Sequence, residues 1–310
     1  MRRLALILTF SLLVTTISAQ NEECTGPRFT TGSGHYVLEG GPGRRGKCIE
    51  IYYYLPQGFS KESPVVLVVP GAGRNGWDYR DAWIDASEKY NVLVLSPSFS
   101  EDHYPRFWNY NLGGMIFDVE ISDNPRRISD YNISTNPEEW ILDDLDRIFN
   151  SAKEQLGVNA SSYDAFGHSA GGQFLHRMAI FNLEHKAQRI LAANSGWYTV
   201  PVFDDRFPYG LDGSIATRET LARAFRSPLV VFLGERDDIN ETRGDLASSP
   251  EIDIQGGGRI ERGRYFYGSA AKTATEIGVE LSWEMVVVPE IGHDYRRMSK
   301  AAADYLYAPK

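Results

Sequence analysis

The chain has 310 residues, 42 % of them hydrophobic, 12 % aromatic and 24 % charged, a balance that excludes collagen, coiled-coil and mostly disordered chains. Its 41 acidic residues outnumber 32 basic ones for a net charge of −9, which argues against nucleic acid as a main partner because a phosphate-binding surface needs a basic excess. Two cysteines are too few for a disulfide scaffold and enough for one bridge.

The first nineteen residues read as a secretory signal peptide. Arg2 and Arg3 give a basic start, residues 4–17 are apolar apart from small hydroxylated side chains, and Ser18-Ala19 supply a small-residue cleavage site. The apolar run is too short to cross ~30 Å of hydrocarbon, and no later run reaches the ~18 residues a spanning helix needs. Cleavage removes Arg2 and Arg3, so 30 basic residues face 41 acidic ones and the net charge becomes −11. Residues 20–310 are then expected to form a single exported domain with no membrane attachment. In an oxidising compartment Cys24 and Cys48 are expected to pair, closing a loop of ~25 residues that contributes on the order of 3 kcal/mol.

In chain order, residues 35–38 and 49–55 read as antiparallel edge strands. Residues 65–69 form a continuous β-branched run between Pro64 and Pro70-Gly71, the pattern of a strand buried on both faces. Further strands are expected at 92–95, 163–166, 190–193, 229–233 and 285–288. Helices are expected between them at 79–90, 137–156, 170–181, 218–225, 265–277 and 295–306. Within the second helix Ile141, Leu142, Leu145, Ile148, Phe149 and Ala152 recur at helical spacing, and Asn136-Pro137 supplies a cap and first-turn proline. Such alternation implies a mostly parallel central sheet with helices on both faces. Two long aromatic insertions interrupt it, at 96–136 and 196–217. Aromatic density argues against disorder, and the insertions are placed either to wall an apolar pocket or to pack as satellite core. Residues 252–263, with three consecutive glycines followed by Arg259 and Arg262, read as a glycine-rich loop. It lacks the Lys-Ser/Thr ending of a phosphate loop, so no nucleotide is expected there.

One segment carries the chemistry. Gly167-His168-Ser169-Ala170-Gly171 lies between an expected strand and an expected helix, the context of a strained nucleophile turn. The glycines let strand and helix backbones approach, and Ser169 sits where the helix dipole favours developing negative charge. A serine nucleophile needs a base and the base an orienting acid. Gly234-Glu235-Arg236-Asp237-Asp238 follows one strand and Gly292-His293 the next region downstream. His293 is the expected base, with His103 as a rival, and Asp237 the expected acid, with Asp238 as the alternative. The flexible turn Pro70-Gly71-Ala72-Gly73 is expected to supply one oxyanion donor from Ala72 or a neighbour, and Ala170 the second.

From about residue 49 to 306 the chain resembles the α/β-hydrolase family, and within it the secreted esterases and polyester-depolymerase-like enzymes. The resemblance rests on residues 70–73, 167–172, 234–237 and 292–293, in the family's order Ser…Asp…His. The first motif departs from the common His-Gly-Gly-Gly form of the oxyanion loop. The stretches 194–198, 207–211 and 255–263 look like features of a subgroup. The resemblance implies a serine hydrolase acting on small-molecule or polymeric esters through an acyl-enzyme, with no metal or organic cofactor. A peptidase or amidase of the same fold, or a binding protein on a hydrolase scaffold, are the alternatives. Arg74, Arg106 and Arg236 are candidates for holding a substrate carboxylate, and Asn132, Asn159 and Asn240 begin glycosylation sequons.

Overall fold

The structure, a computed structural model, describes Cys24 and residues 26–123 and 126–309; the expected signal peptide lies outside the described residues. The chain opens with β1 (Gly32–Glu39), β2 (Cys48–Leu55) and β3 (Val65–Val69), then α1 (Gly76–Asp81), α2 (Ile84–Tyr90) and β4 (Leu93–Ser98). A hairpin of β5 (Ile116–Asp123) and β6 (Arg126–Ile133) precedes α3 (Asp144–Leu156), β7 (Tyr163–His168), α4 (Ala170–Phe181) and β8 (Ala187–Ala193). The last third holds α5 (Arg218–Ala224), β9 (Leu229–Gly234), α6 (Pro250–Asp253), α7 (Arg259–Glu276), β10 (Glu284–Val288) and α8 (Tyr295–Tyr307).

Eight strands form one sheet in the order β1-β2-β4-β3-β7-β8-β9-β10. The β1–β2 and β2–β4 pairings are antiparallel and the remaining five parallel. Burial on both faces explains the unbroken apolar strands. Val65, Leu67 and Val69 face one core with Phe149, Phe174 and Met178, while Val66 and Val68 face another with Trp83, Met298 and Ala302. After β3 the chain turns to β4 on one side and later resumes at β7 on the other. The carboxyl ends of β3 and β7 therefore flank a topological switch point, where open α/β sheets bind ligands. A disulfide joins Cys24 to Cys48, tying the arm before β1 to the start of β2.

Four segments depart from the sequence expectation, each for a tertiary reason. The helix expected over 79–90 is two helices broken at Ala82-Trp83, where the Trp83 indole enters the core against Phe166. Residues 137–139 form one 3-10 turn, capped by Asn136 Oδ1 accepting from the Glu138 amide, but α3 begins only at Asp144. Between them the Ile141 amide donates to the Gly113 carbonyl, and Trp140 is buried. The first insertion contains the β5–β6 hairpin, bulged between Phe117 and Glu120. The glycine-rich stretch contains the end of α6 and the start of α7, so Arg259 and Arg262 are helical.

Candidate active site

Ser169 follows β7 with φ 57° and ψ −114°, a backbone state that costs an L-residue on the order of 1–3 kcal/mol. Its neighbours hold it there. The Ser169 amide donates to the Ala193 carbonyl at 2.9 Å, and its carbonyl accepts from the Gln173 amide at 3.0 Å. Gly167 and Gly171 are sterically required: a Cβ on the first would run into the Gly171 carbonyl, and one on the second into the Val69 carbonyl. Strand, turn and helix thus meet without room for side chains, which lifts Ser169 clear of the sheet at the α4 N-terminus.

Asp237 and His293 come together from the loops after β9 and β10. The His293 Nδ1–H donates to Asp237 Oδ2 at 2.7 Å, and Asp237 is fully buried. Asp238, the alternative acid, points elsewhere, its Oδ1 accepting from the Asn240 amide within its own turn. The His293 amide donates to Glu241 Oε2 at 2.7 Å. Arg243 pairs with both Glu241 and Asp294, clamping the two loops, and its hydrogen bond holds the Glu241 carboxyl below the usual range. The ring of His168, next to Ser169, lies 4.4 Å from that of His293, which places the expected base beside the expected nucleophile. No hydrogen bond joins Ser169 Oγ to His293; such contacts commonly tighten only in the substrate complex. His103 lies in the first insertion and belongs to neither of these loops.

Ser169, Ala72 and Ala170 line a single cleft of about 590 Å³. The loop after β3 packs on the serine, since a Cβ on Gly71 would lie 3.6 Å from Ser169 Cβ. Ala170 opens α4, so its amide is among those a helix leaves without an internal partner. The aromatic insertions divide between two roles. Phe99, Tyr104 and Tyr110 are fully buried core, whereas Phe107, Trp197 and Tyr209 line the cleft. Ile121 and Ile128 of the hairpin complete one wall.

Two of the three arginines expected to meet a substrate carboxylate, Arg74 and Arg236, are otherwise engaged. Arg74 is buried and donates to the carbonyls of Phe99, Tyr104 and Arg106, pinning the loop after β3 to the insertion. Arg236 pairs with Glu290, and Arg106 is exposed. Three functional neighbours escaped the sequence reading: Glu241, the hairpin, and Arg259, whose Nη1 donates to Asp237 Oδ1 at 3.1 Å. Among the described residues no group of three His, Cys, Asp or Glu side chains is placed to hold a metal, and no helix is long and apolar enough to cross a membrane.

Two buried histidines give the protein an acid liability. His176 Nδ1–H donates to the Gly172 carbonyl while Nε2 accepts from the Thr199 amide, so the ring is neutral by its partners. Burial holds His176 well below the ordinary imidazole value, as does the neighbouring Arg177 charge. Burial lowers His168 likewise, with His293, Arg259 and Arg243 adding to it. The unfolded chain therefore binds protons below its ordinary imidazole pKa of ~6.5 that the folded chain refuses, so stability falls as pH drops through that value. Asp144 opposes this, because burial pushes its carboxyl up to about 7 and the folded state takes that proton first. We expect a net loss of about 1–3 kcal/mol between pH 7 and 5, read as a falling urea midpoint, with Asp144→Asn making the fall steeper. In Asp144→Asn, where the opposing carboxyl is gone, a midpoint independent of pH over that interval refutes the assignment of neutral histidines.

The chain belongs to the α/β-hydrolase family, in its esterase- and depolymerase-like branch. It is 31 % identical to poly(aspartic acid) hydrolase-1 from Sphingomonas sp. KT-1 over 89 % of this chain and 98 % of that one, with a TM-score of 0.79. It is equally 31 % identical to LpqC, a poly(3-hydroxybutyrate) depolymerase from Bordetella parapertussis, over 90 % and 91 % of the two chains, with a TM-score of 0.80. An S-formylglutathione hydrolase from Agrobacterium tumefaciens shares the fold alone, at 15 % identity and a TM-score of 0.51 over 90 % of this chain and 95 % of its own. No protein-family model matches the sequence, and no curated protein does.

Proposed function

We propose that the chain is a secreted serine hydrolase that cleaves carboxylic esters through an acyl-enzyme on Ser169. The observation that carries this reading is the strained Ser169 turn opening into the cleft beside the Asp237–His293 pair. His293 takes the Ser169 proton as Oγ attacks the ester carbonyl, and Asp237 stabilises the resulting imidazolium. The Ala72 and Ala170 amides receive the oxyanion. On collapse the alcohol leaves with the proton from His293. A water then gives its proton to His293, attacks the acyl group and releases the acid with Ser169 restored. Export is supported by the basic-apolar-small order of residues 1–19 and by the Cys24–Cys48 disulfide, which persists in oxidising compartments. No cofactor enters this scheme.

A second reading, hydrolysis of amides in carboxylate-bearing chains, has one observation in its favour. Arg177 is fully buried and carries its charge over the Trp197 ring at 4.4 Å. It donates to Thr199 and to the carbonyls of Asn111 and Gln173, with Nη2 unpartnered and no carboxylate paired to it among the described residues. Asn111, Gln173 and Trp197 line the cleft, so this charge favours anions there. A solved relative is named for poly(aspartic acid), an amide-linked polyanion. A panel of p-nitrophenyl esters of varied acyl length and aryl group, set against aminoacyl amides, separates the two. Neutral esters are expected to turn over fastest. Cleavage of amides alone overturns the preferred reading.

A further inference from the structure

We infer that Arg259 is a positioning residue for this machinery: its guanidinium aims Asp237 and fixes the turn at Gly244 against the imidazole of His293. The inference rests on the reading of Ser169, His293 and Asp237 as nucleophile, base and orienting acid.

Three contacts made by one planar group carry it. Arg259 is 2 % exposed, and Nη1 donates to Asp237 Oδ1 while Oδ2 receives the His293 Nδ1–H. With a partner on each oxygen, the carboxylate cannot rotate without breaking one of them. Nη2 donates to the Gly244 carbonyl at 3.2 Å and the Asp245 carbonyl at 3.1 Å. Gly244 has φ +67°, and a Cβ there would lie 2.9 Å from His293 Cδ2 and 3.2 Å from Nε2. The backbone held by Arg259 is therefore a shelf under the ring edge that faces the chemistry. The α7 N-terminus is itself docked on the acid, since the Ile260 amide donates to the Asp237 carbonyl at 3.0 Å. A Cβ on Gly258 would collide with the backbone of Asp238 and Ile239, which accounts for part of the glycine run. Lysine, a point charge with rotating donors, cannot reproduce a fork spanning three acceptors.

Arg259 also acts through charge. The charged and titratable groups around the imidazole are Asp237, Arg259, Glu241, Arg243, Asp294 and His168, with Tyr198 also near Asp237 and Tyr79 and Tyr295 beyond His168. Arg259 is the cation in direct contact with the acid, and it offsets part of the carboxylate's field at the ring. Without that cation the carboxylate's field at the ring is no longer offset.

The test uses Arg259→Met and Arg259→Lys in the full chain, with circular dichroism as the folding control. For p-nitrophenyl butyrate, Arg259→Met is expected to lower kcat about 10–100-fold with KM within about threefold. Its kcat/KM acid limb should move up by roughly half a pH unit or more. Arg259→Lys should keep the acid limb near its wild-type position and recover part of kcat. In an Asp237→Asn background, Arg259→Met should cost less than about threefold more, because the two act as a unit. Folded Arg259→Met with unchanged kcat and acid limb overturns the inference. So does an equal loss in both variants with no shift of the limb, the mark of a merely structural role. If Arg259→Met does not fold, Arg259→Lys decides: a kcat equal to wild type overturns it. Wild-type protein that a fluorophosphonate probe does not label overturns the serine-hydrolase reading itself, and this inference with it; a labelled wild type leaves the fate of Arg259 to the variants.

Discussion

Ser169→Ala is expected to abolish fluorophosphonate labelling and to lower kcat on p-nitrophenyl esters about 10⁴–10⁶-fold, with the fold intact. The size follows from what the substitution removes and what it leaves. Only Oγ is lost. The amide bond to Ala193 and the carbonyl bond from Gln173 are backbone contacts that alanine keeps, and alanine occupies φ 57° at a strain similar to that of serine. On the proposed mechanism the Ala72 and Ala170 amides still polarise a carbonyl, so a residual rate above water is expected from binding and the proposed oxyanion donors alone. Intact-mass analysis after probe treatment gives the answer directly. Equal labelling of wild type and variant places the reactive nucleophile elsewhere, and a folded wild type that takes no label removes the enzymatic reading altogether.

Sequence patterning revealed what short-range physics determines. The inner strands of the sheet were legible because strands buried on both faces must be continuous apolar runs, as at residues 65–69 and 229–233. The Ser169 turn was legible because two glycines at fixed spacing between strand and helix answer a steric demand that the Val69 and Gly171 carbonyls make explicit. Contacts made across the fold left weaker traces. Trp83 breaks a helix whose local sequence favours continuing, because burying its indole outweighs the lost turn. The hairpin hid inside an aromatic-rich stretch although Phe117, Val119 and Ile121 alternate in the sequence. Arg259 was least visible: glycines 256–258 signalled a loop, and nothing local tells that the loop ends in a helix whose first arginine reaches the acid. Arg74 failed in the opposite direction, an apparent ligand for substrate that the fold spends on three backbone carbonyls.

Asp237→Asn is expected to lower kcat about 10³–10⁴-fold, whereas Asp238→Asn should leave it within about threefold, because asparagine can make the same Asx-type turn contact. Asp237 Oδ2 accepts the Nδ1–H of His293 at 2.7 Å, and on the proposed mechanism that bond leaves Nε2 free to take the Ser169 proton. An asparagine offers no charge to stabilise the imidazolium, and if its amide NH₂ faces His293 it selects the wrong tautomer. Asp238 makes no such contact; its carboxylate accepts from the Asn240 amide, a bond that an asparagine oxygen can also make. Stability must be measured beside turnover, because Asp237→Asn leaves the buried Arg259 without its carboxylate, a loss of up to about 3–5 kcal/mol. Turnover is therefore compared at a temperature where both variants are fully folded by circular dichroism. Under that condition an Asp237→Asn enzyme with near-wild-type kcat, or an Asp238→Asn enzyme with the greater loss, reassigns the acid. A large kcat loss with KM unchanged locates the function of Asp237 in the transition state, where the imidazolium forms, and not in substrate binding.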